Sequence, residues 1–194
     1  MIRSILLAAA CLLAAPMTAW SQEYPAKTIR VVVPFPPGVG SDIIARLVAQ
    51  KLAIVLGQPV VADNRAGASG NIAAEIVAKS APDGYTLLFG NSSLSISPAV
   101  FQKLGYDPVR DLTPISMASS YPFVLAAHPS LPVQSVKALV ALARSKPDAL
   151  AYASAGAGTM SHMAIELLRL RTGIKVQHLP YKGAAPASVS LISG

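Results

Sequence analysis

The sequence predicts an α/β fold in which mainly parallel sheets are flanked by helices. Strand-like and helix-like segments alternate along most of the 194 residues, which is the pattern of parallel sheets with helical crossovers. The strand-like segments are short, apolar and rich in β-branched residues, as buried parallel strands are. Hydrophobic residues make up 53% of the chain and aromatic residues only 6%. This balance favours helix-covered parallel sheets over a β-sandwich.

The first strand–helix cycle is the clearest. Residues 29–33 (IRVVV) form a nearly continuous apolar run, which predicts a buried strand. After a loop rich in proline and glycine, Ser41 and Asp42 are residues of the kind that begin helices. Apolar residues then recur at helical spacing until Gly57, which is expected to end the helix. The other elements predicted in this half are a strand at 59–62, a helix at 71–80 and a strand at 85–89.

The second half repeats the cycle after a weaker stretch at residues 98–114. Residues 115–119 and 123–127 are predicted as strands that are separated at Tyr121 and Pro122. Ser135 is the expected N-cap of a helix that begins with Val136. The remaining predicted elements are a strand at 150–153, a helix at 160–172, a strand at 175–179 and a helix at 184–193.

We expect two α/β domains, at residues 22–121 and 122–194, behind an N-terminal signal at residues 1–21. The second domain would contain only about three strands, which is few for an independent sheet. The sequence is therefore predicted to be a fragment or a truncated gene product.

The N-terminus predicts export to the periplasm. Arg3 precedes an apolar run at residues 5–15, and small residues lead to an expected signal cleavage after Ser21. The run is too short to span a bilayer. Lipidation at Cys11 is an alternative, although little room for an apolar region precedes it. Cys11 is the only cysteine, so the mature chain cannot contain a disulfide.

The charge pattern does not predict nucleic-acid binding. The formal net charge is +7, but the basic residues are scattered and are not interleaved with aromatic residues. A basic surface can also draw anions towards a site.

Four loops at the ends of predicted strands consist of small or polar residues. In open α/β sheets, ligands bind beyond the carboxyl ends of strands, where helix N-termini offer amides and a favourable dipole to an anion. The alternative, that small residues only make tight turns, is the simpler interpretation of any single loop. Four such loops together favour a binding site. They are residues 35–42, 64–70, 90–93 and 154–159.

Motifs of catalysis and of cofactor binding are not matched. Ser161 stands where the third glycine of a dinucleotide fingerprint would follow Gly156 and Gly158. No phosphate-binding Gly-Lys-Ser/Thr follows a glycine-rich loop, and residues 67–70 lack the spacing of a hydrolase nucleophile elbow. The three histidines show no metal-ligand spacing with carboxylates. We predict no cofactor and no metal.

Three individual residues each have more than one possible role. Asp42 either complements its helix start, orders the loop or meets a ligand ammonium group. His162, in the first turn of a helix, either contacts a ligand or makes a structural hydrogen bond. Lys182 either attracts an anion or is an ordinary solvated surface lysine.

Five stretches of the chain are similar to sequences of a known family. At these loops the sequence resembles the extracytoplasmic solute receptors of tripartite tricarboxylate transporters, the Bug-type receptors of proteobacteria. The stretches are Tyr24-Pro25 with IRVVVPFPPGVGSD at 29–42, DNRAGASGN at 63–71, PDGYTLL at 82–88, YASAGAGTMSH at 152–162 and LPYKGAAP at 179–186.

The resemblance implies a periplasmic-binding-protein-like architecture, in which two α/β domains close on a small carboxylate. It implies one cleft wall formed by Phe35, Gly38, Gly40, Ser41 and Asp42, extended by Ala68, Ser69, Asn91 and Ser92. The opposing wall would be formed by Ser154, Gly156, Gly158, Thr159 and His162.

Three departures from the family pattern stand out. Val39 replaces a common glycine, and Ala157 takes a position that is often polar. Family members also continue well beyond the position of Gly194, by roughly 100 residues or more.

The resulting hypothesis is a monomeric, non-catalytic periplasmic receptor. It would capture a small carboxylate and deliver it to the membrane subunits of a tripartite tricarboxylate-type transporter. The alternatives are an exported serine hydrolase or amidase, and a non-functional truncated product.

Overall fold

The computed structural model describes residues 23–194. The predicted signal peptide, its cleavage after Ser21 and Cys11 lie outside the described residues. Within residues 23–194, no helix combines the length and the hydropathy that crossing a membrane requires.

Three parallel strands form the N-terminal sheet. They are β1 (Ile29–Val33), β2 (Val60–Asn64) and β3 (Thr86–Leu88), in the spatial order β2-β1-β3. Central β1 is the most apolar strand, and Val32 and Val33 are completely buried. The predicted parallel arrangement is confirmed, because the carboxyl ends of all three strands lie at one edge of the sheet.

Three helices accompany this sheet: α1 (Gly40–Leu56), α2 (Asn71–Ala78) and α3 (Ser93–Val100). Helix α1 begins one residue before Ser41, because the backbone is still extended at Val39. Ser41 and Asp42 therefore lie in its first turn. Gly57 ends α1 in the left-handed conformation and donates its N–H to the carbonyl of Ala53, as predicted.

The C-terminal sheet contains two parallel strands, β4 (Ala151–Ser154) and β5 (Gln177–Pro180). Tyr152 pairs with His178 in the register, so their side chains lie on one face. The accompanying helices are α4 (Val136–Ser145), α5 (Met160–Thr172) and α6 (Ala184–Ser193). The predicted cap of α4 is confirmed, because the Ala138 amide donates to Ser135 Oγ at 3.1 Å.

The strands predicted at 115–119 and 123–127 are wrong. Residues 115–127 are irregular and carry exposed apolar side chains; Met117 and Val124 are each more than 80% exposed. An extended segment becomes a strand only when a neighbour accepts its backbone hydrogen bonds. Within residues 23–194 no strand pairs with this segment.

Candidate functional site

Loops from the two sheets touch each other. The Ser69 hydroxyl donates a hydrogen bond to the carbonyl oxygen of Ala157. A Cβ built on Gly158 would lie 3.1 Å from Phe101 Cε2, and one built on Gly183 would lie 3.9 Å from Pro36 Cδ. We call this meeting place the loop junction, formed by residues 35–42, 68–70 and 154–159. It lies at the carboxyl ends of the strands, where α/β proteins bind ligands.

Asp42 organises the loop between β1 and α1. It is only 2% exposed, and its Oδ2 accepts hydrogen bonds from the Gly38 amide at 2.9 Å and from Arg46 Nε at 3.0 Å. Its Oδ1 accepts from Asn64 Nδ2 at 2.8 Å. Both carboxylate oxygens are thus engaged within the protein, and the Asp42 carboxylate orders the loop.

The charge of Asp42 is stable over a wide pH range. Burial opposes ionisation, but the hydrogen bonds from Arg46, Gly38 and Asn64 outweigh it and lower the pKa of Asp42 to about 2. The loop therefore keeps its anionic anchor at any physiological pH.

Asn64, at the end of β2, ties two neighbouring loops together. Besides its bond to Asp42, its Nδ2 donates to the Phe35 carbonyl at 2.9 Å, and its Oδ1 accepts from Arg46 at 2.8 Å. These bonds leave Gly40 exposed and Ser41 half-buried at the start of α1. The Asp42 amide donates to the Val39 carbonyl, whereas none of the described residues accepts from the Gly40 and Ser41 amides. Such free amides at a helix start are suited to an anion.

The second loop makes a turn with positive φ at two non-glycine residues. Ala68 has φ 46° and Ser69 has φ 57°, which is strained for residues with a Cβ. The Ala68 carbonyl accepts from Asn71 Nδ2 at 2.7 Å, and Asn71 Oδ1 accepts from the buried Tyr106 hydroxyl at 2.7 Å. This chain of bonds holds Ser69 in position to reach Ala157.

The third loop packs against the second. Asn91 Oδ1 accepts from the Ser93 amide at 3.1 Å, and Asn91 Nδ2 would lie 3.8 Å from a Cβ on Gly70. Ser92 is exposed beside the start of α3. The structure thus places Asn91 next to the Ala68–Ser69 turn.

The glycine-rich loop between β4 and α5 satisfies several of its own polar groups. Ser154 Oγ accepts from the Gly156 amide at 3.1 Å, and Thr159 Oγ1 donates to the Gly156 carbonyl at 2.7 Å. The Gly158 amide donates to His162 Nδ1 at 3.1 Å. Among the described residues, none accepts a hydrogen bond from the Ala157 amide. That amide and the first turn of α5 are the donors that remain for a ligand.

Behind this loop lies a group of six residues that we call the histidine cluster. The His178 ring stacks on His162 at 4.2 Å on one side and on Tyr152 at 4.8 Å on the other. Glu166 accepts from the Tyr152 hydroxyl at 2.9 Å and from Arg169 at 2.7 and 2.9 Å. The members are Tyr152, Ser154, His162, Glu166, Arg169 and His178.

Burial governs protonation in the histidine cluster. Burial, followed by the positive charge on His162 when it is protonated, lowers the pKa of His178. Burial also raises the pKa of Tyr152, and its hydrogen bond to Glu166 adds to this. For Glu166 burial is opposed by the hydrogen bonds from Arg169 and Tyr152, which lower its pKa. The cluster therefore favours neutral His178 and Tyr152 and an ionised Glu166.

A second polar surface lies along β2. A shallow depression of about 720 Å³ runs along β2 and includes Arg30, Asp63 and Arg65. Asp63 Oδ2 accepts from Arg30 Nε at 2.7 Å and from Arg65 Nε at 3.1 Å, so one carboxylate already engages both guanidinium groups. Within residues 23–194, no three His, Cys, Asp or Glu side chains are grouped to hold a metal ion.

The sequence profile described as "Tripartite tricarboxylate transporter family receptor" matches residues 44–194. The chain belongs to this family. Protein BugT of Bordetella pertussis is similar to it, with 44% identity over 94% of this chain and 56% of the relative. A UPF0065 protein from the tcbD–tcbE intergenic region of Pseudomonas sp. strain P51 is 38% identical over 88% of this chain and 51% of the relative. The chain thus spans about half the length of these curated relatives.

Several solved structures share the fold of this chain. Rpa4515 of R. palustris, solved with adipate, aligns with a TM-score of 0.83 at 39% identity, covering 89% of this chain and 58% of that one. MatC of Rhodopseudomonas palustris, solved with bound malate, aligns with a TM-score of 0.78 at 35% identity, covering 88% and 58%. The periplasmic binding protein BugD aligns with a TM-score of 0.73 at 31% identity, covering 87% and 56%. The predicted periplasmic-binding-protein-like α/β architecture is confirmed.

The sequence analysis did not identify several residues that build the site. Arg46 and Glu166 stand four residues after Asp42 and His162, and this helical spacing could have indicated both pairs. Tyr106 and His178 could not be found in this way, because their partners lie 35 and 24 residues away in the sequence.

Proposed function

We propose that this chain is the ligand-capturing part of a periplasmic receptor. It binds a small carboxylate at the loop junction, between two α/β units, and delivers it to the membrane subunits of a tripartite tricarboxylate-type transporter. The main support is the contact of loops from both sheets, with Ser69 of one unit bonded to Ala157 of the other.

The chemistry of the loop junction suits a carboxylate. The starts of α1 and α5 both belong to loops of the junction, and their first-turn amides favour an anion. Family membership and the two similar receptors solved with adipate and malate support the same ligand class. Small diacids and triacids are therefore the first ligands to test.

Residues 1–21 act as a signal peptide that directs the chain to the periplasm, and the domain boundary falls between residues 121 and 122. The receptor works as a monomer whose two units close on the acid, as hinged binding proteins do.

A serine hydrolase is the rival function, and one observation bears on it. Ser154 Oγ lies 2.6 Å from His178 Nε2, which is the spacing of a nucleophile and its base. Ser154 is only 1% exposed, and its hydroxyl also accepts from the Gly156 amide. A nucleophile must reach its substrate, so we assign this pair a structural role.

A calorimetric screen of carboxylates tests the proposal. Adipate, malate and citrate are titrated into the chain, and product formation from carboxylate esters and amides is followed in parallel. We expect saturable binding and a raised melting temperature with at least one acid, and no turnover. No binding across the panel would overturn the carboxylate assignment, and steady product release would favour the hydrolase.

A further inference from the structure

We propose that Lys182 is a specificity-determining residue that makes the loop junction prefer acids with two carboxylates over acids with one. Its ammonium group binds the second carboxylate. This inference rests on the proposed function, because it names the class of carboxylate that the loop junction selects. The observation behind it is a lysine whose neighbours on both sides are bonded to the glycine-rich loop, and which has no ion pair within residues 23–194.

The backbone on both sides of Lys182 is fixed to the glycine-rich loop. The Tyr181 amide donates to the Ser154 carbonyl at 3.0 Å, and the Gly183 amide donates to the Ala155 carbonyl at 3.1 Å. Both acceptors belong to the loop that follows β4. The position of Lys182 is therefore set by one wall of the loop junction.

The loop after β1 lies next to the same turn. Gly183 is buried, and a Cβ built on it would lie 3.9 Å from Pro36 Cδ. The Tyr181 hydroxyl donates to Ser190 Oγ at 2.6 Å, which ties the turn to helix α6. Lys182 thus stands between two anchored residues at a place where both walls meet.

The side chain of Lys182 is free to meet a ligand. It is exposed, and no ion pair among the described residues includes it. Arg46, which also borders the loop junction, differs because its guanidinium group is bonded to Asp42 and Asn64. A lysine ammonium group is a compact charge on a flexible stem. Lys182 can therefore bind an anion without breaking an ion pair inside the described chain.

The charge balance of the loop junction explains why a second carboxylate needs this cation. The helix starts offer amides, whose partial positive charges suit a first carboxylate. The guanidinium group of Arg46 is paired with Asp42, whose buried carboxylate lies in the first turn of α1. An ionised group that leaves water is unfavourable unless it gains a partner of opposite charge. Lys182 supplies that charge to a diacid.

Lys175 provides a matched control. It is also exposed, and it too has no ion pair within residues 23–194. It precedes β5, whereas Lys182 follows β5, so the two lysines lie at opposite edges of the C-terminal sheet. Replacing either lysine by methionine removes one positive charge, so a general effect of net charge would be the same in both variants.

The test compares adipate with hexanoate, which has a chain of the same length and one carboxylate fewer. Both are ionised at about pH 8, and calorimetry at low, constant ionic strength measures their affinities. We expect wild type to favour adipate roughly five- to twentyfold, between an exposed ion pair and a hydrogen bond to a charged group. Lys182→Met should bind hexanoate as wild type does and adipate only about as well as hexanoate. Lys182→Arg and Lys175→Met should keep the preference.

Malate and β-hydroxybutyrate repeat the comparison for a shorter diacid, and melting temperatures check that the variants remain folded. A diacid preference that persists in Lys182→Met, or that falls equally in Lys175→Met, would overturn the inference. A loss of hexanoate binding in Lys182→Met would also overturn it, because the lysine would then serve any carboxylate. Equal affinity of wild type for diacid and monoacid would reject the selectivity and keep the proposed function. Binding of none of these acids by wild type would overturn both.

Discussion

The two loops that meet at the loop junction are ordered by different chemistry. The loop after β1 is built around the buried carboxylate of Asp42, which engages Gly38, Arg46 and Asn64. The loop after β4 is built around neutral groups, the hydroxyls of Ser154 and Thr159 and the imidazole of His162. The Asp42 carboxylate, with a pKa of about 2, carries a negative charge at physiological pH, whereas the groups named in the second loop bring no such charge.

The two loops therefore contribute to the site in different ways. The Asp42 loop is a fixed wall, whose geometry depends on one permanent charge. The glycine-rich loop is a second wall, whose geometry depends on hydrogen bonds between neutral groups.

Ser41→Trp should abolish ligand binding at the fixed wall. An indole at the half-buried start of α1 would fill the space in front of its first-turn amides, and we expect at least about a hundredfold loss of affinity, near 2.7 kcal/mol. Calorimetry with the best acid of the screen measures the loss. Ser145→Trp is the control, because Ser145 is exposed next to Arg144, which binds the far end of α5 at Thr172. Equal affinity in both variants would remove the α1 loop from the site.

Asp42→Ala should destabilise the fold by about 2–3 kcal/mol, because several donors lose a buried acceptor. Denaturant unfolding at neutral pH measures the change. Asp83→Ala should leave the midpoint nearly unchanged, since the Asp83 bond to Lys27 lies at the surface. A small effect of Asp42→Ala would show that the loop is ordered by packing rather than by this carboxylate.

The same carboxylate predicts acid sensitivity with a defined sign. The pKa of Asp42 falls from 3.8 to about 2 on folding, so the unfolded state binds more protons between these values. The contribution of Asp42 is fully present above about pH 4 and is lost as the pH falls towards 2. The free energy of unfolding of Asp42→Asn should therefore depend less on pH in this interval than that of wild type.

Near neutral pH we expect a weaker pH dependence of the free energy of unfolding, and His178→Gln should reduce it. Burial lowers the pKa of His178 below 6.5, so the unfolded state again binds more protons and stability decreases as the pH falls below about 6.5. Unfolding free energies at several pH values should show a shallower slope in His178→Gln, while His128→Gln keeps the wild-type slope. If the slope of unfolding free energy against pH is unchanged in His178→Gln, His178 is not the source of the pH dependence.

Ser69→Ala should have the smallest effect, below about 1 kcal/mol of stability, since it removes one hydrogen bond at a partly solvated contact. The measurement is again denaturant unfolding, with Ser95→Ala as the control, because Ser95 bonds only to its own helix start at Ser92. A loss above about 2 kcal/mol would indicate that the two units depend on this contact far more than one hydrogen bond allows.

The sequence predicted the helices and strands better than it predicted which side chains contact each other in the site. The β-branched run of β1 and the helical spacing of α1 and α5 are local signals, and both sheets are parallel as expected. Residues 115–127 have the same local pattern but form no strand, because strand formation requires a neighbouring strand. Asn64, Tyr106 and His178 act through contacts that only the folded chain creates.

The two-walled site is tested most directly by mapping amide resonances by NMR during titration with adipate or malate. We expect the largest shifts in residues 38–42, 68–69 and 154–162, which belong to both walls of the loop junction. Shifts confined to the depression beside Arg30 and Arg65, or to one wall alone, would contradict the claim that loops of two units hold the acid together.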